Sequence, residues 1–142
     1  MKRSPSLIPL SKEHHESLVL AKRCQRTMAS GEREAIGQLC REIAHGFPDK
    51  WERHFQDEER GIFALAEAEG GEMAVLSRQL RREHDRLREI HRAMQAGDCS
   101  RLGAFGELLQ SHTRKEEREL FPLIESRFSD TELEAHLAIT KK

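Results

Sequence analysis

His54-Phe55-Gln56-Asp57-Glu58 and His112-Thr113-Arg114-Lys115-Glu116 write one spacing twice, an imidazole followed four residues later by a carboxylate. A helix turns about once in 3.6 residues, so each pair shares one face, one turn apart. Both copies sit in helical patterns. Trp51, His54, Glu58, Ile62 and Leu65 step by three or four residues, as do Leu108, Leu109, His112, Glu116 and Leu120. A carboxylate on an apolar stripe loses its water on folding and needs a cation, a hydrogen-bond partner or a proton. Two such faces turned toward each other, with one His from each of two further helices, form a cage of nitrogen and oxygen donors. Such a cage suits a pair of transition-metal ions, iron foremost, although mixed nitrogen and oxygen donors also suit manganese or zinc.

The remaining pattern supplies those helices. A lead-in over residues 1–10, with Pro5 and Pro9, reads as irregular. Ser11 caps a first helix to Ser30-Gly31. The second helix runs from Glu32 to Glu69, with a kink or interruption at Gly46 and Pro48, and Gly70-Gly71 ends it. The third spans Glu72 to Ala96 on the seam Met73, Leu76, Leu80, His84, Leu87, His91, Met94. The fourth runs from Ser100 to Phe128 with Phe105, Leu108, Leu109, His112, Glu116, Leu120 and Leu123 inward and a bend at Pro122. Ser129 and Glu132 form a capping box for a short fifth helix. The expected fold is all-α, an up-down-up-down four-helix bundle within a single domain over 1–142.

His84 lies on the seam of the third helix, about a dozen residues from either end. Antiparallel helices rising ~1.5 Å per residue bring it to the height of His54, Glu58 and His112. The first helix offers His14 or His15. Leu20, Ala21, Cys24 and Met28 mark its inward face, which favours His14 and leaves His15 as the rival. Glu42 and His45 read as a helix-surface pair, His91 as core or cavity-lining, and His136 as exposed. Glu59 and Glu117 read as solvated rather than as partners of ligand imidazoles.

Composition narrows the functional classes. The chain has 142 residues, is 37% hydrophobic and 35% charged, and carries a formal charge of -1. It lacks the positive excess of a nucleic-acid binder, and no apolar run approaches membrane-spanning length. Leu7, Ile8 and Leu10 make too short a stretch for a signal peptide. Cys24, Cys40 and Cys99 read as reduced thiols of a cytoplasmic protein. Glycine-rich phosphate loops, nucleophile elbows and cysteine pairs with metal spacing are all missing.

The chain resembles the hemerythrin-like family of HHE cation-binding domains over nearly its whole length. The carriers are Glu13-His14-His15, His54-Phe55 leading to Glu58-Glu59, Glu83-His84, and His112 leading through Glu116-Glu117 to Leu120-Phe121-Pro122. The resemblance implies a non-haem di-iron centre with a solvent-oxygen bridge. Glu58 and Glu116 would bridge the irons, with His14, His54, His84 and His112 as terminal ligands. The chain departs from oxygen-carrying members, which place a second His four residues after the third-helix His. Here that position is Arg88, which implies a more open shell at one iron. Handling of oxygen or nitric oxide by sensing, binding or iron-centre repair is the expected role. The alternatives are a di-iron enzyme reducing peroxide or nitric oxide, and a helical interaction module.

Overall fold

Four long helical runs and one short helix account for the chain in the computed structural model, which describes residues 2–140 and their side chains through Leu137. Helix α1 spans Ile8–Ser30. Helix α2 covers residues 33–69, in which α-helical Arg33–Phe47, Arg53–Glu58 and Ala64–Glu69 are joined by wider π turns at Pro48–Glu52 and Glu59–Phe63. Helix α3 is Gly71–Gln95. Helix α4 covers 102–127, with a π turn at Glu116–Leu120 between Leu102–Lys115 and Phe121–Arg127. Helix α5 is Asp130–Thr140. The long runs alternate in direction, and the fold is an all-α helical bundle.

The breaks follow residue chemistry. Gly70 and Gly71 both hold positive φ, +83° and +68°, a backbone that costs glycine little. Ser129 and Glu132 exchange the expected bonds: Glu132 N–H donates to Ser129 Oγ at 3.1 Å, and Ser129 N–H to Glu132 Oε1 at 3.0 Å.

Two expectations are corrected and one is given its form. The lead-in is not irregular. A 3-10 turn at Pro5–Leu7 runs into α1, which begins three residues before Ser11. Pro9 is tolerated there because first-turn N–H groups have no intrahelical acceptor. Leu7 is fully buried, and Asp130 accepts from Ser4 Oγ at 2.5 Å and Ser6 N–H at 2.9 Å, docking the segment on α5. Second, the interruption expected at Gly46 and Pro48 takes the form of a π turn over Pro48–Glu52, through which the helix continues. Proline lacks the N–H that would reach the Ala44 carbonyl, and the π turn absorbs the change. His91 Nε2–H donates to that carbonyl at 3.1 Å while its ring stacks on Phe47. Third, Cys40 and Cys99 are a disulfide, their Cα atoms 5.8 Å apart, tying α2 to the α3–α4 connection. Cys24 alone is a free thiol, and burial pushes it up to about 12.

The π turns also shift the helical phase. A π turn adds a residue to one turn and re-aims the side chains beyond it. Beyond Glu58 the buried residues are Ile62, Phe63 and Ala66, with Leu65 only partly covered; beyond Glu116 they are Leu120, Phe121 and Ile124, with Leu123 partly covered. Helix α3 has no such turn, and all seven expected seam residues are buried.

Two apolar clusters fill the bundle. One contains Leu39, Ile43, Phe47, Phe55, Leu87, Phe105 and their neighbours. The other contains Leu7, Ile62, Phe63, Leu80, Leu120, Phe121 and Ile124 among others. Between them lies a buried polar layer to which all four long helices contribute.

Candidate metal centre

Each long helix supplies one imidazole to that layer: His14 from α1, His54 from α2, His84 from α3 and His112 from α4, none more than 3% exposed. Glu58 and Glu116 are fully buried among them. Glu58 Oε2 lies 2.9 Å from His14 Nε2, and its Oε1 lies 3.1 Å from His84 Nε2 and 3.3 Å from His54 Nε2. Glu116 Oε1 is 2.5 Å from His112 Nε2 and its Oε2 is 3.1 Å from His14 Nε2. Two overlapping donor sets result, Glu58, His84, His112, Glu116 and His14, His54, Glu58, with the donor atoms of each set within 4.8 Å of one another.

Outward, every Nδ1 meets a second carboxylate. His14 pairs with Glu117 at 2.5 Å, His54 with Glu13 at 3.1 Å, His84 with Glu59 at 2.8 Å and His112 with Glu83 at 2.9 Å. The helices are joined in a ring, α1 holding the imidazole of α2, α2 that of α3, α3 that of α4 and α4 that of α1. Such pairing sets each Nδ1 as the donor, fixes ring orientation and leaves Nε2 as the inward lone pair. Phe55 stacks on His84 at 4.0 Å between centroids, and Phe121 packs on His14 at 5.4 Å.

Without a metal, protons on the imidazoles offset the buried carboxylates. Burial opposes protonation of His54, but Glu58 and Glu13 outweigh it and raise the imidazole to about 10. Burial likewise opposes protonation of His112, while Glu116 and Glu83 raise it to about 9. For Glu58, burial favours the acid, yet His54, Glu116 and His14 hold it well below the usual carboxylate range. His112 Nε2 and both Glu116 oxygens make no hydrogen bond despite their close approach. These atoms lie close together within the Glu58, His84, His112, Glu116 set. Four imidazoles and two buried carboxylates, mixed nitrogen and oxygen donors, fit transition-metal ions.

The other titratable residues fall outside this cage. His15 is exposed on the rim of a groove between α1 and α2. Glu59 and Glu117, expected to be solvated, are 16% and 23% exposed and hold His84 and His14. The sequence reading also missed the roles of Glu13 and Glu83; the available signal was that each directly precedes a candidate His. Arg88, at the position where oxygen-carrying members place a second His, turns away from the cage. Its guanidinium donates to Glu52 at 2.7 and 3.0 Å and to Glu59 at 2.9 and 3.2 Å, so it secures the carboxylate that holds His84. His91 belongs to the apolar core. His136, expected to be exposed, is half-buried and donates to the Gly61 carbonyl at 3.2 Å. Glu42 pairs with Arg23, and His45 is exposed.

The family profile described as "Hemerythrin HHE cation binding domain" matches residues 9–124. No curated protein and no solved structure matches the chain. The match begins just after the start of α1 and ends at Ile124, so it covers all four imidazoles and both buried carboxylates; this chain belongs to the hemerythrin HHE cation-binding family.

Proposed function

We propose that the chain holds two iron ions, one on His14 and His54, the other on His84 and His112, with Glu58 and Glu116 shared between them, and that it handles oxygen or nitric oxide there. The observation that carries this reading is the convergence of four Nε2 lone pairs on two fully buried carboxylates, each imidazole being held from behind. Gathering four imidazoles from four helices around two buried carboxylates disfavours a mere interaction module with incidental His–Glu pairs. Bound iron would supply electrons and an open coordination position for a diatomic ligand. The chain orients the imidazoles, excludes bulk water and offers no further titratable residue inside the cage. Sensing, binding or iron-centre repair therefore stands ahead of peroxide or nitric oxide reduction.

A cytoplasmic location was expected from the cysteines, and the Cys40–Cys99 bridge removes that ground, since disulfides persist in oxidising compartments. Among the described residues no helix is long and apolar enough to cross a membrane.

The test is elemental analysis of chelator-free protein expressed with iron, joined to absorbance spectra of the reduced protein mixed with oxygen or nitric oxide. Two irons per chain, lost in Glu58→Ala and Glu116→Ala, are expected, with a prompt spectral response to one of the two gases. Trace metal only, or loading unchanged in both variants, overturns the reading. Complete and repeated recovery of the reduced spectrum under vacuum would indicate oxygen carriage.

A further inference from the structure

The ring of outer carboxylates has one weak link. Glu59 is held by Arg88 at 2.9 Å. Glu83 is held by Lys115 at 2.8 Å. Glu117 accepts from Ser11 Oγ at 2.9 and 3.0 Å and pairs with Arg3 at 3.3 Å. Glu13, behind His54, is paired with no lysine or arginine among the described residues. It is also the most exposed of the four, 40% against 13–23% for the others, and its contact with its imidazole is the longest. Inside, His54 Nε2 stands 3.3 Å from Glu58, whereas His112 Nε2 stands 2.5 Å from Glu116. On its outer side Glu13 borders a recess of about 60 Å³ shared with Ser6, Pro9, Asp57 and Arg60, which gives the side chain room to move.

We infer that the Glu13–His54 edge is the gate of the metal centre, so that the ion on His14 and His54 exchanges with solution while the ion on His84 and His112 stays. This rests on the two-ion reading above. The physical reason is the energy of turning an imidazole away from its ion. For His84, His112 and His14 that motion breaks a contact to a carboxylate itself clamped by a cation. For His54 it breaks a single contact to a carboxylate already in touch with water, which replaces the lost bond at little cost.

The test follows iron release from the anaerobic, ferrous-loaded full chain into excess ferrozine, a colorimetric ferrous chelator. Two phases of equal amplitude are expected, one iron each. Glu13→Ala should speed the fast phase about 10-fold and leave the slow phase unchanged, in keeping with the effect of removing a ligand's outer partner. Glu13→Gln, which keeps an acceptor for Nδ1–H, should lie near the native protein. Lys115→Ala should speed the slow phase alone. His54→Ala should retain one iron and show only the slow phase. The gate is overturned if both irons leave in one phase, if Glu13→Ala changes neither rate, or if His54→Ala keeps the fast-phase iron. A native chain that loads fewer than two irons overturns the two-ion reading and the gate with it. Helical circular dichroism of each variant separates these outcomes from misfolding.

Discussion

At the scale of single residues, the proposed centre sets protons and metal in competition for the same nitrogens. His54 and His112 titrate at about 10 and about 9 in the metal-free fold, because burial is outweighed by Glu58 with Glu13 and by Glu116 with Glu83. An unfolded imidazole titrates at about 6.5. The native state therefore binds more protons than the unfolded chain above that value. The resulting stability is fully present below about 6.5 and is lost as the pH rises through 9 to 10. Metal-free protein should melt progressively lower across that interval. In loaded protein the metal replaces those protons, and this decline should be absent. Melting curves of both forms between pH 6 and pH 10.5 check this; parallel curves would contradict a centre shared by protons and metal. Glu59 gives the opposite arm. Burial opposes its ionisation, but His84 and Arg88 hold it down at about 2, so its contribution is present above the unfolded value of 4.5 and is lost as the pH falls from there through about 2.

Between elements, the distance from α1 to α4 is set by a missing side chain. A Cβ on Gly106 would stand 2.7 Å from Cys24 Cβ and 2.8 Å from the Ala21 carbonyl oxygen. The second of these is backbone and can yield only if the helices separate. Gly106→Ala should cost about 1–3 kcal/mol, the usual range for overpacking, read as a lower urea midpoint. His14 and His112 ride on these two helices, so iron loading should weaken in the same variant. An unchanged midpoint with full loading would show that the contact relaxes without moving α1. Neighbours in sequence also do different work: Glu58 and Glu116 point into the cage, while Glu59 and Glu117, about 100° round the helix, reach imidazoles on the adjacent helices.

For the whole molecule, the Cys40–Cys99 bridge closes a segment with a sequence separation of 59 at the end of the bundle away from α5. In the chain-entropy description, closing a loop of that size stabilises by about 4 kcal/mol. Reduction with dithiothreitol should lower the urea midpoint substantially while leaving the metal layer assembled, since His54, Glu58 and His84 within the closed segment are also held by Glu13, His14 and Glu59. Alkylation of the unfolded, unreduced protein should label Cys24 alone. Labelling of all three cysteines would show the bridge open, and a midpoint indifferent to dithiothreitol would show that it contributes little.

The amino-acid sequence by itself determined the features that depend on residues close in the chain. The glycine pair that ends α2, the Ser129–Glu132 box, the uninterrupted seam of α3 and the common face of each His–Glu pair all come from one turn of local geometry. The choice of His14 over His15 as the buried imidazole comes from helical phase, which was legible because α1 contains no π turn. The tertiary structure alone decided the pairings of residues far apart. Glu117 meets His14 and Glu13 meets His54 across separations of 103 and 41 residues. Arg88 turns from a departure in a motif into the clamp on Glu59, and Cys40 finds Cys99. Ile62 and Leu120 were placed correctly, but the burial of Phe63 and Phe121 beside them was out of reach, because a π turn adds a residue without any marker in the local pattern. Charged side chains such as Glu59 and Glu117 look the same in sequence whether they face water or an imidazole; the neighbouring helix decides which, through the cost of leaving a buried Nδ1–H without an acceptor.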